Sequence, residues 1–265
     1  MGTQETDVKK EKGEREELTA EERFKRKLRK DFRFASNRLI DGEYDGAFSR
    51  PEFFRLEDGS EVTYLRCCHR SLGVGEGKVL SFIREEDQGI LGIGEDEFPF
   101  CLHVTKGNRP DFEELLGQTL RFSFRPIIPG IPPLDGEVET KLPKLRLVKP
   151  RSIPEPETNY VEVMGRLHQL RDDGFVLIAW DFYAKEYCHI PFADPYPFPD
   201  EDGEFVWVKG RFEPATSSLR LEESQSIFFF EREEAIKIKE QLKKKKSIAK
   251  ENKKIEETPE EKQNK

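Results

Sequence analysis

The sequence predicts an all-β middle held between two charged tails, and three observations carry that prediction. Charged residues make up 37% of the 265-residue chain and hydrophobic ones only 35%, a polar balance for a folded protein. The charge gathers at the ends, over residues 1–31 and 231–265. Between them, short apolar runs recur between clusters of Gly, Pro and Asp, and Phe dominates the aromatics, with 21 Phe against 2 Trp. Short, β-branched and aromatic runs bounded by turn residues are strand signals.

Taken in order, residues 8–31 are rich in helix formers, and Thr19 followed by Glu22 resembles a capping box that starts a helix through Phe24 and Leu28. With so few apolar positions, that helix needs charge pairs or a partner to form. Eleven strands are then expected: Glu61–Cys68, Lys78–Ile83, Gly89–Ile93, Phe98–Val104, Thr119–Arg125, Lys144–Val148, Val161–Leu167, Phe175–Trp180, Glu186–Phe192, Glu204–Phe212 and Leu219–Phe229. One short helix is expected at Phe112–Leu116, and Gly73–Gly77 reads as a turn opening a strand. The proline-bearing stretch Lys149–Asn159 reads as a linker between one domain over 32–150 and a second over 151–230. After Glu231, a helix to about Ala249 precedes a polar tail. Phe228, Phe229 and Phe230 are expected to lock the last strand against that helix.

The two β regions repeat one order of features. Gly77–Thr105 and Gly165–Asp194 each begin with Gly, a basic residue and an apolar one, pass an acidic turn, and reach a Gly followed by apolar residues. Each then ends a strand near a His. Gly117–Phe124 (GQTLRFSF) and Gly203–Phe212 (GEFVWVKGRF) follow, and KLRLVKP or LRLEES closes each unit. This order resembles the cold-shock domain, a five-stranded barrel of the oligonucleotide-binding (OB) fold, present twice over residues 77–148 and 161–227. Gly77, Lys78, Val79 and Phe82 fit that family's first strand. Gln88–Ile93 and Gly174–Ile178 fit its second, and Cys101–His103 and Tyr187–His189 fit its third.

The resemblance implies two tandem five-stranded barrels with charged helical tails, and a non-catalytic protein that binds single-stranded RNA or a ribonucleoprotein. Bases would stack on aromatic faces while nearby cations hold the backbone. The residues so implied are Arg66, Arg70, Lys78, Phe82, Arg84, Phe100 and His103 in the first unit, with Phe175, Tyr187 and His189 in the second. The chain keeps part of the platform, since Ser81 stands where the family has Trp, and Ile90 and Gly92 replace paired Phe residues.

Charge argues for a second reading. The formal net charge is −8, with 7 basic against 15 acidic residues over 151–230, a poor supply of cations for phosphate. An adaptor whose acidic second barrel binds a basic protein partner is therefore the alternative, and a regulatory subunit of a nuclease is a third. No small-molecule substrate, cofactor, metal or catalytic group is expected. Cys67-Cys68-His69, Cys101/His103 and Cys188/His189 suggest zinc, but neighbours on a strand point to opposite faces and no CxxC spacing is present. The acidic pairs Asp172/Asp173 and Asp200–Asp202 read as solvated turns, and FKRKLRK (24–30) and KKKK (243–246) as solvated helix or phosphate contacts. No apolar run nears the 18–20 residues of a membrane span, no export signal is visible, and four cysteines are too few for a disulfide framework. A cytoplasmic setting is the expectation.

Overall fold

The computed structural model describes residues 18–34, 38–41, 52–65, 69–102, 114–150, 159–182 and 184–256. Strands make up 49% of it, with two α-helices. The strands are β1 (Arg38–Asp41), β2 (Glu52–Arg55), β3 (Glu61–Leu65), β4 (Arg70–Ile83), β5 (Gln88–Ile93), β6 (Asp96–Leu102), β7 (Thr119–Arg125), β8 (Ile128–Pro129), β9 (Leu145–Pro150), β10 (Tyr160–His168), β11 (Phe175–Asp181), β12 (Glu186–Phe192), β13 (Phe205–Glu213), β14 (Ser218–Ser226) and β15 (Phe228–Phe229). The helices are α1 (Ala20–Phe34) and α2 (Arg232–Glu256). No described helix is long and apolar enough to cross a membrane.

Strands β4, β5, β6, β9 and β7 pair in that order and return to β4, which closes a five-stranded barrel. All its ladders are antiparallel except β6 with β9. The barrel closes because β4 is long enough, at 14 residues, to pair β7 along its first part and β5 along its last. Gly73–Gly77 is therefore strand and not the expected turn. Its glycines are there for clearance: a Cβ on Gly73 would lie 2.4 Å from the Phe124 ring, and one on Gly75 would lie 3.0 Å from Phe122.

Strands β10 to β14 repeat the pairing. β10 takes β11 and β13, β11 takes β12, and β13 takes β14. Here β12 and β14 meet without a ladder, through Ala193 N–H donating to Leu219 O (2.9 Å) and Leu221 N–H donating to Asp194 (2.8 Å). The register fixes the equivalence of the two sets. Val79 opposes Leu91, which opposes Phe98; Leu167 opposes Leu177, which opposes Ile190. Before the fourth strand of each set, Gly117 and Gly203 adopt φ of +77° and +86°, and each donates its N–H over 2.8 Å to the carbonyl of Val79 or Leu167.

The sets are joined through their first strands, β4 and β10, with Gly73 opposite Val161. One hydrophobic cluster runs through both, and Phe212 of β13 packs edge-on against Phe98 of β6 (4.8 Å). At the joint, Asp181 receives Arg125 and Arg146, each at 2.9 Å.

Strands β15, β1, β3 and β2 form a small separate sheet. One side packs Ile40 and Leu65 on Met164, Phe205 and Trp207. The other packs Leu39 and Val62 on Ile238 and Leu242 of α2. Phe229 and Phe230 join these two layers, as expected of a lock, whereas Phe228 is exposed. The expected Phe112–Leu116 helix is a turn over 114–117 as far as it is described, and most of the linker lies outside the described residues.

Candidate binding face

Each set of five strands has an outer face on its first three strands, built by simple alternation. In the first set Val79, Leu91, Phe98 and Phe100 point inward, while Lys78, Leu80, Ile90, Glu97 and Pro99 point outward. A register shift between Val79 and Ser81 inserts Leu80 as an extra residue, and its side chain lies over Gly92, 3.2 Å from where a Cβ would sit. Ile90 lies opposite Pro99. Leu80 and Ile83 are 42% and 50% exposed, so the face is an aliphatic patch. It is rimmed by acidic turns, Glu85–Asp87 at one end and Glu95–Glu97 at the other.

Its counterpart in the second set follows from register: Arg166 for Lys78, Val176 for Ile90, Ile178 for Gly92, His189 for Glu97 and Pro191 for Pro99. That face is covered. Phe24 and Leu28 of α1 pack on Val176 and Ile178, Phe24 stacks on His168 (4.6 Å, 26°), and the Tyr187 hydroxyl donates to Leu28 O (2.5 Å). The helix starts at the expected capping box, where Glu22 N–H donates to Thr19 Oγ1 (3.2 Å) and Thr19 N–H to Glu22 Oε2 (2.9 Å). Its partner is thus the chain's own second half. Beside it runs the β7–β9 connection. Pro132 O accepts from His168 Nε2 (2.8 Å), Gly130 O accepts from His189 Nδ1 (2.9 Å), and Leu134 O accepts from Arg171 (2.6 Å). Burial lowers the pKa of both His168 and His189, the carbonyl bonds only partly opposing it.

The sequence-derived site residues therefore separate. Phe100 and Phe175 were expected to stack on bases; they are 1% and 0% exposed and belong to the core, with Phe175 stacked on Phe192 (4.8 Å, 4°). Neither offers a face to a base. His189 is buried under the β7–β9 connection, and Tyr187 is half-buried with its hydroxyl on α1 and its ring edge-on to Trp180 (4.9 Å). Phe82 is half-buried, stacked over Phe100 (6.2 Å, 10°) at the rim of the barrel. Lys78 and Arg84 are exposed, but six strand residues, or about 20 Å, separate them. Arg70 is half-buried opposite Met164, at the joint between the sets. Arg66 and His103 lie outside the described residues.

Cys101/His103 and Cys188/His189 were expected at equivalent positions of the third strands. Register matches Phe100 to Phe192 and Glu97 to His189, so Cys101 and Cys188 are not equivalent positions. The Cys188 thiol is buried, donates to Ala179 O (3.4 Å) and has its pKa pushed up to about 12 by desolvation. Among the described residues, no three His, Cys, Asp or Glu side chains are grouped to hold a metal.

Sequence reasoning passed over His168, the one histidine away from a cysteine, and the Ile128–Gly136 stretch that covers it. The Phe24/Leu28 pair at i,i+4 was the usable signal for α1's buried side. Compared with family models, with curated proteins and with solved structures, the chain matches none.

Proposed function

We propose that the chain is a non-catalytic, OB-type protein-interaction adaptor whose docking surface is the open outer face of β4, β5 and β6. The strand order β4-β5-β6-β9-β7, with only β6 and β9 parallel, supports the OB reading of the first barrel. The observation that carries the ligand class is the composition of that face. Aromatics that would stack bases are inside, and what remains outside is Leu80, Ile83, Ile90 and Pro99 between acidic turns. Aliphatic centres with polar rims suit a protein surface, while carboxylates at both ends repel phosphate.

The RNA reading retains one specific support, the exposed Lys243–Lys246 run of α2. Fluorescence anisotropy with a short single-stranded RNA separates the two. An adaptor gives weak binding that is lost as salt rises and is unchanged by Phe82→Ala. Tight binding that weakens as salt rises and falls on Phe82→Ala establishes the RNA reading and removes the adaptor one.

A further inference from the structure

We infer that the open face of the first barrel is the seat for a basic amphipathic helix of a partner protein, held as α1 is held on the second. This rests on the adaptor reading and names the partner's chemistry.

Two outer faces are built from matching register positions on matching strands, and one of them already shows its occupant. On β10–β12 the occupant is a helix that contributes two apolar side chains one turn apart, Phe24 and Leu28, to an aliphatic floor of Val176 and Ile178. The rest of that helix is basic, with Arg23, Lys25, Arg26, Lys27, Arg29 and Lys30 against Glu21 and Glu22 in its first turn. Lys27 meets the acidic second half at Glu204 and Gly203 O, each at 3.3 Å.

On β4–β6 the floor is again aliphatic, with Ile90 at the place of Val176 and the Leu80 side chain over the Gly92 slot that Ile178 fills in the other set. No described residue is seen to cover it. From Lys78 to Pro99 the sequence has six carboxylates against two cations, a net of −4 that complements a cationic helix. Both hairpins carry acidic turns at their tips, Glu85–Asp87 and Asp172–Asp173. The shared features are thus an aliphatic floor and an acidic turn at the tip of its first hairpin. Helix-in-groove recognition reads such a floor with side chains at i and i+4.

The chain supplies its own probe. A fluorescein-labelled peptide of residues 19–34 is titrated with the full-length protein, in which the second face is filled by α1. Saturable binding is expected, weakening with salt and abolished when the peptide carries Phe24→Asp and Leu28→Asp. In the protein, Ile90→Asp or Leu80→Asp is expected to reduce affinity at least about tenfold, the equivalent of about 1.4 kcal/mol. Glu85→Lys with Glu86→Lys, two exposed turn residues whose change leaves the core intact, is expected to reduce it too. No saturable binding overturns the inference. So does binding that Ile90→Asp and the double Glu→Lys variant leave unchanged, because the peptide would then be exchanging with α1 on the second face. If a protein partner is captured after nuclease treatment and lost on Ile90→Asp, yet the peptide does not compete with it, the adaptor reading stands and the helix inference falls. If single-stranded RNA binds this patch and Ile90→Asp abolishes it, both fall.

Discussion

Asp181 is a buried carboxylate at the joint of the two strand sets, with Arg125 and Arg146 each placing a guanidinium nitrogen 2.9 Å from one of its oxygens. The pairing of one acid with two bases, one from β7 and one from β9, ties the second set to the first. Removing the acid leaves two partly buried cations facing each other, so Asp181→Ala is expected to cost about 3 kcal/mol in urea unfolding. A loss below about 1 kcal/mol would show the cluster to be solvated in solution. His168 and His189 make a second prediction. Burial holds both below the usual histidine pKa, so the unfolded chain binds protons more readily than the folded one. Their contribution is present in full above the unfolded value of about 6.5 and is lost as pH falls through the lowered folded values. Unfolding midpoints are expected to drop between pH 7.5 and 5, and His168→Gln is expected to flatten part of that slope. A slope unchanged by the substitution would remove His168 as a cause. None of these roles was visible in the sequence, because a lone Asp in a strand and a His four residues before an acidic turn acquire their partners from segments 35 or more positions away.

Most elements could be read from composition alone, and the misreadings have physical causes. All eleven expected strands exist, since each is a compact run of β-branched or aromatic residues with a turn on either side. β1 and β2 were missed because four residues with charged ends carry too little periodicity. The first part of β4 was read as a turn because its glycines, which make room for Phe122 and Phe124, look like loop punctuation. Inside and outside are reversed from expectation at Phe100 on β6 and at Phe175 on β11, so neither reaches the binding face on which it was placed. For α1, the capping box gave its start and the Phe24/Leu28 pair gave its buried side, though not its seat. Leu28 is 1% exposed, and Leu28→Ala is expected to cost about 2–3 kcal/mol at that seat. Hydrogen exchange should then show α1 amides opening well before those of β10–β13. Uniform loss of protection across the molecule would mean that α1 is part of the global folding unit.

At the scale of the molecule, the two strand sets share a ladder and a core. Linked barrels with separate cores would melt in two steps, whereas a cluster running from Val79 to Leu219 predicts one cooperative transition. Gly73→Ala tests this. Its Cβ would strike the buried Phe124 ring, a clash expected to cost about 1–3 kcal/mol, and circular dichroism and Trp fluorescence should register the same lowered midpoint. The two Trp, Trp180 and Trp207, both lie in the second set, so a shift confined to circular dichroism would show the sets to be independent.

The ladder between β4 and β10 has a further property. Matching the sets by register pairs residue 73 with 161 as equivalents, and Gly73 and Val161 are also the residues that face each other across that ladder. On either side, Leu72 faces Glu162 and Val74 faces Tyr160, which are one another's counterparts exchanged. The contact is therefore isologous, with a pseudo-dyad passing between Gly73 and Val161, as in a symmetric dimer whose subunits add strand to strand. A single set cut from this chain would present that strand unpaired, and homodimerisation is how such an edge would be closed. Within the one chain the halves differ where a dyad would make them alike: α1 packs on one outer face, and on the other Leu80 and Ile83 are exposed among the described residues.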